Sequence, residues 1–324
     1  MCAGNAGGPS APRVRWSPAG YGRSMLGSGL IGGSLAMARV MTGDVARSLD
    51  RFGLIDGAPP EDWLEARDED YIREALPAIR AWSDHYFRAD VEGLEEIPED
   101  EPVLLVGNHS GGTLIADTFV FAQHFYDHFG PQRRFHQLAH DLVFRVPGVR
   151  ASLSRFGTVP ASPQNMRAAL AKDAALLVYP GGDHETYRPT WEQDQIDFAG
   201  RKGFLKLSLE LGAPIVPVVS IGGQETALFL GQGQRFSRLL GLDRALRLKV
   251  FPVQLAPPMG LTLLDLPLRF PLPSKISIRV LPRIDLRETL GEDADLDEAY
   301  ELVTEAMQAE LSQLAADRTL PVVG

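Results

Sequence analysis

Cysteine is almost absent. The chain has 324 residues and a single cysteine, Cys2, so neither a disulfide framework nor a cysteine metal site can be assembled from it. That fits a reducing compartment. Positive charge is also scarce. Lys and Arg number 32 against 42 Asp and Glu, for a net charge of −10, which argues against nucleic acid as a partner. The first part of the chain has no long hydrophobic run. Its longest uncharged apolar stretch, SMLGSGLIGGSLAMA at residues 24–38, is Gly-rich and 15 residues long. Roughly 18 to 20 are needed to cross a bilayer, so a buried or interfacial helix suits it better. A charged start leading into an apolar core, the mark of a secretory signal, is missing. So are internal repeats, low-complexity tracts, and an HExxH metal motif.

What is present is an ordinary globular composition, 44% apolar and 23% charged, enough for a sizeable core. From about residue 102 short apolar runs alternate with helical stretches. PVLLVG leads to DTFVFAQHFYDHF, RFHQLA to NMRAALAKD, AALLVYP to GFLKLSLELG, and APIVPVVSIG follows. Strand–helix alternation predicts an α/β fold, a mixed, mostly parallel sheet flanked by helices in αβα layers. KVFPVQLAPP and KISIRVLPRI add two further strands, and DADLDEAYELVTEAMQAELSQLA is an amphipathic closing helix. Three regions are expected: 1–92, helical and membrane-interfacial; 93–287, the α/β domain; and 288–324, the closing helix packed on it. In the first region, YIREALPAIRAWSDHYF is helical in pattern, with a proline that kinks or restarts the helix.

GSGLIGG at residues 27–33 matches G-x-G-x-x-G. A dinucleotide site needs a strand before that motif and an acid about 20 residues beyond it. SPAGYGRSML is no strand, and Asp50 closes a segment without strand character. Small residues for close helix packing explain the glycines better.

The chemistry concentrates where strands end. After EPVLLV comes GNHSGGTLIADTFVF, residues 107–121. His109 in a Gly-rich turn suits a general base. Asp117, placed in the second turn of the following helix, is expected to fold back and fix the imidazole tautomer. Ser110 is a rival nucleophile, but a neighbour on the same turn faces a histidine poorly and HSGG lacks the G-x-S-x-G elbow. After AALLVYP comes GGDHETYRP, where the N–H groups of Gly181 and Gly182 are candidates to hold an oxyanion or phosphate. Repetition of strand, Gly-Gly and polar residues favours one shared cleft. Arg201 and Lys202 open a helix and are candidates for phosphate contact. His136 and His140, and likewise His124 and His128, stand four apart, which on a helix puts each pair on one face; with no third ligand they read as structural pairs. QRFSRLLGLDRALRLKVF, residues 234–251, carries Arg235, Arg238, Arg244, Arg247 and Lys249 against Asp243, among leucines. With LTLLDLPLRFPLP, residues 261–273, it suggests contact with an anionic membrane surface.

Together these blocks resemble the glycerolipid acyltransferase superfamily, the PlsC-like lysophospholipid acyltransferases. The likeness is above all to the diacylglycerol-acyltransferase-2-like and transmembrane-protein-68-like branches, and it covers about residues 88–283. Asn108 and His109 in FRADVEGLEEIPEDEPVLLVGNHSGG match the catalytic Asn-His pair. LSRFGTVPAS, around Arg155 and Gly157, resembles the second block. YPGGDHE matches a Pro-Gly-Gly-x-x-Glu third block at Gly181, Gly182 and Glu185. RKGFLKLSLELGAPIVPV is similar to the helix and strand that close the core.

The resemblance implies an acyl-CoA-dependent O-acyltransferase acting on a hydroxyl of a glycerolipid or similar lipid alcohol. It implies His109 as base with Asp117; oxyanion or acceptor contacts from Asn108, Gly111, Gly112, Gly181, Gly182 and Glu185; and contacts to the phosphates of acyl-CoA from Arg155, Arg201 and Lys202. No metal and no cofactor is called for; acyl-CoA or an acyl carrier protein brings the acyl group. A peripheral or monotopic place on the cytoplasmic face of a membrane follows from such substrates. Two departures stand out. The family's aspartate falls five residues after the histidine, where this chain has Leu114. The third block reads Pro-Gly-Gly instead of Pro-Glu-Gly-Thr-Arg, which favours a neutral or bulkier alcohol over a phosphate-bearing acceptor. A serine esterase using Ser110 and a non-catalytic lipid-binding protein are the alternatives.

Overall fold

Four apolar residues in a row, Val103 to Val106, have side chains that alternate between two separate cores. Val103 and Leu105 enter one, Leu104 and Val106 the other. A strand buried on both faces reads as an unbroken apolar run for this reason. The structure is a computed structural model that describes residues 59–324, apart from 114, 142, 146–148, 232–251, 263–264, 266–268, 292 and 321. The Gly-rich stretch at 24–38 and the basic segment at 234–251 lie outside the described residues.

The main sheet has seven strands: β1 (Asp90–Glu92), β2 (Val103–Gly107), β3 (Phe135–Ala139), β4 (Thr158–Pro160), β5 (Ala175–Val178), β6 (Ile215–Ile221) and β10 (Ser277–Val280). Their order is β1-β10-β6-β2-β5-β3-β4. The run from β6 to β4 is parallel, whereas β10 is antiparallel to β6 and carries β1 beside it in parallel. A second, three-stranded antiparallel sheet is formed by β7 (Leu228–Gly231), β8 (Val253–Ala256) and β9 (Gly260–Thr262).

Helices cover both faces of the main sheet. On one face lie α1 (Glu69–His85) and α2 (Ala116–Phe129), which contribute Ile72, Ile79, Trp82, Phe121 and Phe125 to an aromatic-rich core. On the other face, α4 (Pro163–Leu170) and α6 (Gly203–Leu211) contribute Ala169, Phe204 and Leu205, and α8 (Leu296–Asp317) contributes Val303, Met307 and Leu311. Shorter helices are α3 (Val149–Arg155), α5 (Gly182–Thr186) and α7 (Leu286–Leu290). This is the αβα layering that the alternation predicts. Pro77 lies inside the single helix α1, so it neither restarts nor divides it. Among the described residues no helix is long and apolar enough to cross a membrane.

His136 lies on β3, a strand, so His136 and His140 do not share a helix face. Its Nδ1 sits 3.0 Å from the Gly157 carbonyl, and its ring is buried.

Candidate active site

Three neighbouring strands, β6, β2 and β5, run in the same direction. Each is followed by a glycine pair: Gly222-Gly223 after β6, Gly111-Gly112 after β2, Gly181-Gly182 after β5. Parallel strands bring all three turns to one end of the sheet. The third pair, in SIGGQET, is the one the sequence reading passed over, although it repeats the pattern of the other two.

Buried polar groups tie the turns together. Asn108 donates from Nδ2 to the Ser220 carbonyl and accepts from Ser220 N–H, both at 2.8 Å. The His109 N–H donates to Glu185 Oε2 at 3.0 Å, joining the β2 turn to the β5 turn. Gly111 N–H donates to Gln224 Oε1 at 2.9 Å, while Gln224 Nε2 donates to the Arg188 carbonyl at 2.6 Å. Gly223 is a glycine by necessity: a side chain there would run into Ser110 Oγ and Asp117 Oδ2.

Glu185 is fully buried and 2.7 Å from Arg188 Nη2. Burial pushes its carboxyl up to about 7, against the pull of Arg188 and the N–H groups of His109 and Asp197. All these neighbours are N–H donors, so the pocket is built for the carboxylate form.

His109 is half-buried at the end of β2. Its ring stacks on Tyr179, with centroids 4.5 Å apart and planes 16° from parallel. Tyr179 in turn is held by its hydroxyl, 2.6 Å from Thr118 Oγ1. His109 Nδ1 is enclosed and has no hydrogen-bond partner. Burial, helped by Arg188, lowers the imidazole to about 4, with Asp183 pulling the other way. The ring is therefore neutral at ordinary pH and free to accept a proton.

Asp117 departs from expectation. It sits in the first turn of α2, not the second, and does not bond His109. Its Oδ2 accepts from Ser110 Oγ at 2.8 Å and Ser220 Oγ at 3.2 Å, and its Oδ1 from Thr118 N–H at 2.8 Å. The helix starts only at Ala116, so the aspartate points under the turn and holds it from below. Burial raises its carboxyl to about 6, against three hydrogen-bonding neighbours.

Three of the glycine N–H groups are engaged within the fold. Gly111 N–H is taken by Gln224, Gly112 N–H by the Thr186 carbonyl at 3.2 Å, and Gly182 N–H by the Tyr179 carbonyl at 3.1 Å. In this structure they brace the turns and are not turned to a substrate oxygen.

The three cations expected at phosphates have different places. Arg201 does reach the β5 turn, donating to the carbonyls of Pro180 at 3.0 Å and Gly181 at 2.8 Å and pairing with Asp183 at 2.8 Å. Lys202 pairs with Asp297. Arg155 is not part of the cluster. It pairs with Asp68 at 2.7 Å and lies over the Tyr71 ring at 4.1 Å. It precedes β4, toward the starting ends of the parallel strands, whereas His109 and Gly181 follow the finishing ends of β2 and β5.

Two functional-looking residues come from a segment that reads as apolar. Asp265 and Arg269 form a buried ion pair, 2.8 Å apart. Asp265 accepts from Thr113 N–H, and Arg269 donates to the Gly111 carbonyl. Gln254 Nε2, on β8, donates to Asp265 Oδ1 at 2.9 Å. The signal was there: an acid and a base four apart in LTLLDLPLRFPLP, with nothing else charged. Gly112, at φ +65°, leaves room for the Asp265 carboxylate and the Phe229 ring. The chain's end also returns to this region, as Glu225 accepts from Arg318 Nη2 at 2.7 Å and from Val322 N–H at 2.5 Å. A separate crevice of about 560 Å³, lined in part by His128, Arg133 and Lys172, shares no residue with the cluster.

Against known proteins, residues 88–221 match the family model described as Acyltransferase. That stretch holds the turns after β2 and β5. The chain is 30% identical over 246 residues to an uncharacterized protein of Mycobacterium tuberculosis, covering 75% of this chain and 66% of that one. It is 29% identical over 157 residues to the human DGAT1/2-independent enzyme synthesizing storage lipids, covering 47% of this chain and 45% of that one. Identity to the Arabidopsis thaliana phytyl ester synthase 1, chloroplastic, is 24% over 147 residues, 42% of this chain and 20% of that one. The chain thus spans just under two thirds of the mycobacterial relative and less than half of the other two. The crystal structure of the 1-acyl-sn-glycerophosphate acyltransferase PlsC from Thermotoga maritima aligns with a TM-score of 0.48 at 17% identity, over 90% of this chain and 98% of that one.

Proposed function

We propose that this protein is an O-acyltransferase that moves a fatty acyl group from an acyl thioester, acyl-CoA, to the hydroxyl of a neutral lipid alcohol, with His109 as general base. The observation that carries this reading is the state of the His109 ring. It is half-buried, held flat by Tyr179, and neutral because burial lowers its pKa to about 4. For Nε2 to accept a proton, Nδ1 carries the ring hydrogen. The acceptor's O–H proton passes to Nε2 as its oxygen attacks the thioester carbonyl. The C–O bond forms, the C–S bond breaks, and the leaving thiolate takes the proton from the imidazolium. Tyr179 supplies the positioning that a carboxylate supplies in a triad.

A neutral acceptor is favoured on two grounds. Arg201, the cation at the β5 turn, is engaged by Asp183 and two carbonyls, which leaves its charge matched without a phosphate. The human relative is named for storage lipids and the plant relative for phytyl esters, and both are neutral products. The serine-esterase alternative is disfavoured, because Ser110 Oγ is buried and donates to Asp117 and not to the His109 imidazole.

The test is release of free thiol from long-chain acyl-CoA in detergent, with diacylglycerol, monoacylglycerol, fatty alcohol and lysophosphatidate offered in parallel. The expected result is release that depends on a neutral alcohol and disappears in His109→Ala. Release independent of acceptor, or unchanged in that variant, would rule out His109 as the base. Preference for lysophosphatidate would overturn the neutral acceptor.

A further inference from the structure

An antiparallel sheet with one face in water ordinarily alternates apolar in and polar out. The β7–β8–β9 sheet does not. Its inner face carries buried Phe229, Gln254 and Ala256, and its outer face carries Leu228, Leu230, Leu255 and Leu261, with Met259 in the turn between β8 and β9. These five are between 38% and 63% exposed. Strand register lines up Leu228 with Leu255 and Leu255 with Leu261, so three leucines form one row across the sheet. No charged residue occurs in the strands LFLG, VQLA and GLT. A contiguous aliphatic face of this kind marks a contact surface.

The same sheet is wired to the catalytic turn. Gln254 holds Asp265, which holds Thr113 N–H, and the Arg269 paired with Asp265 holds the Gly111 carbonyl. We infer that the outer face of the β7–β8–β9 sheet docks on the surface of a lipid bilayer, which sets the turn after His109 at the membrane boundary.

Two arguments choose a bilayer over a second copy of the chain. Three strands of about four residues cover roughly 10 Å by 13 Å, far less than the ~800 Å² per partner of a stable protein pair. A lipid surface needs no matching shape and accepts so small a patch. Charge points the same way. The chain that joins β7 to β8 carries Arg235, Arg238, Arg244, Arg247 and Lys249 against Asp243, a local excess of positive charge in a chain of net charge −10. A basic stretch in the sequence between two strands of this sheet suits an anionic membrane. The choice of lipid also rests on the acyltransferase reading, whose acceptor is a lipid; the apolar face itself does not.

The test is flotation of the full chain with phosphatidylcholine vesicles, with and without phosphatidylglycerol, beside a Leu255→Gln/Leu261→Gln variant. Wild type should float with the vesicles, more strongly when phosphatidylglycerol is present. The double variant should lose about tenfold or more in partitioning while keeping the wild-type circular dichroism and thermal midpoint, with Leu228→Gln alone falling between. His109→Ala should float as wild type. Flotation undiminished in the double variant would place the contact elsewhere and overturn the inference, as would a wild type that does not float. A dimer in sedimentation that the double variant dissolves would assign the face to a second copy. Should thiol release fail while flotation still depends on Leu255 and Leu261, the reaction is wrong and the surface stands.

Discussion

His109 and His136 differ in one hydrogen bond. Burial lowers both imidazoles to about 4. His136, on β3, places Nδ1 against the Gly157 carbonyl and is sealed in the sheet. His109, just past β2, has an enclosed Nδ1 with no partner among the described residues and is only partly buried. A depressed pKa alone therefore does not mark a catalytic histidine. What distinguishes His109 is that the fold leaves it incomplete at the open end of the sheet.

Exchanging the two histidines breaks the comparison most sharply. His109→Ala should lower acyl transfer by 10²-fold or more, the range of general base catalysis, with the thermal midpoint little changed. His136→Asn should do the reverse, costing about 1–3 kcal/mol of stability through the altered bond to the Gly157 carbonyl and a partly emptied site, while the rate per folded molecule stays within about twofold. Equal loss of rate in both variants would end the distinction. Next in size is Asp265→Ala, which leaves Arg269 buried without its partner. It should cost about 3–5 kcal/mol, read as a lower denaturation midpoint, because this pair joins the turn after His109 to the small sheet.

The role of the stack is separable from that of the hydroxyl. Tyr179→Leu should reduce kcat about tenfold by freeing the His109 ring. Tyr179→Phe keeps the stack and should cost only about 1 kcal/mol of stability from the lost Thr118 bond. An equal kcat in all three proteins would deny Tyr179 a positioning role.

Titration sharpens the comparison further. The rate of wild type should rise with pH through about 4 and then level, not rise near 6.5, since the neutral ring is the reactive form. Each histidine has a folded pKa below its unfolded value, so its contribution to stability is present above about 6.5 and is lost as pH falls through 4. His136→Asn should remove part of that low-pH decline, by an amount on the order of 3 kcal/mol. Burial raises Asp117 and Glu185, which gives them the opposite slope, so the histidine effect is read as a difference between variant and wild type. Smallest of all is Arg155→Ala. With its exposed pairing to Asp68, it should change stability by less than about 1 kcal/mol and leave the KM for acyl-CoA within experimental error.

Local features of the sequence were enough to read most elements. Buried parallel strands are unbroken apolar runs, helices carry a 3.6-residue period, and Asp295 and Asp285 cap the helices they precede. The partners across the site were not legible. Asp117 was expected against His109 because spacing along the chain suggested it. In the fold it meets Ser220, 103 positions away, which no local pattern reports. Glu185 was placed in the site by its motif, but its link to His109 comes from the packing of β5 beside β2. Asp265 and Arg269 were hidden in an apolar segment, since two buried charges and two exposed ones look alike until burial is known.

By itself, then, the sequence determined the layered α/β architecture and the strand ends at which His109 and the glycine turns stand, because those depend on residue type and spacing within a few turns of chain. Only the tertiary structure decided which strands lie side by side, that three glycine turns converge, that a tyrosine and not a carboxylate holds the histidine, and that a leucine row faces outward on the small sheet. Those outcomes depend on contacts between residues distant along the chain, and hydrogen bonding and burial choose such contacts only when the sheet is assembled.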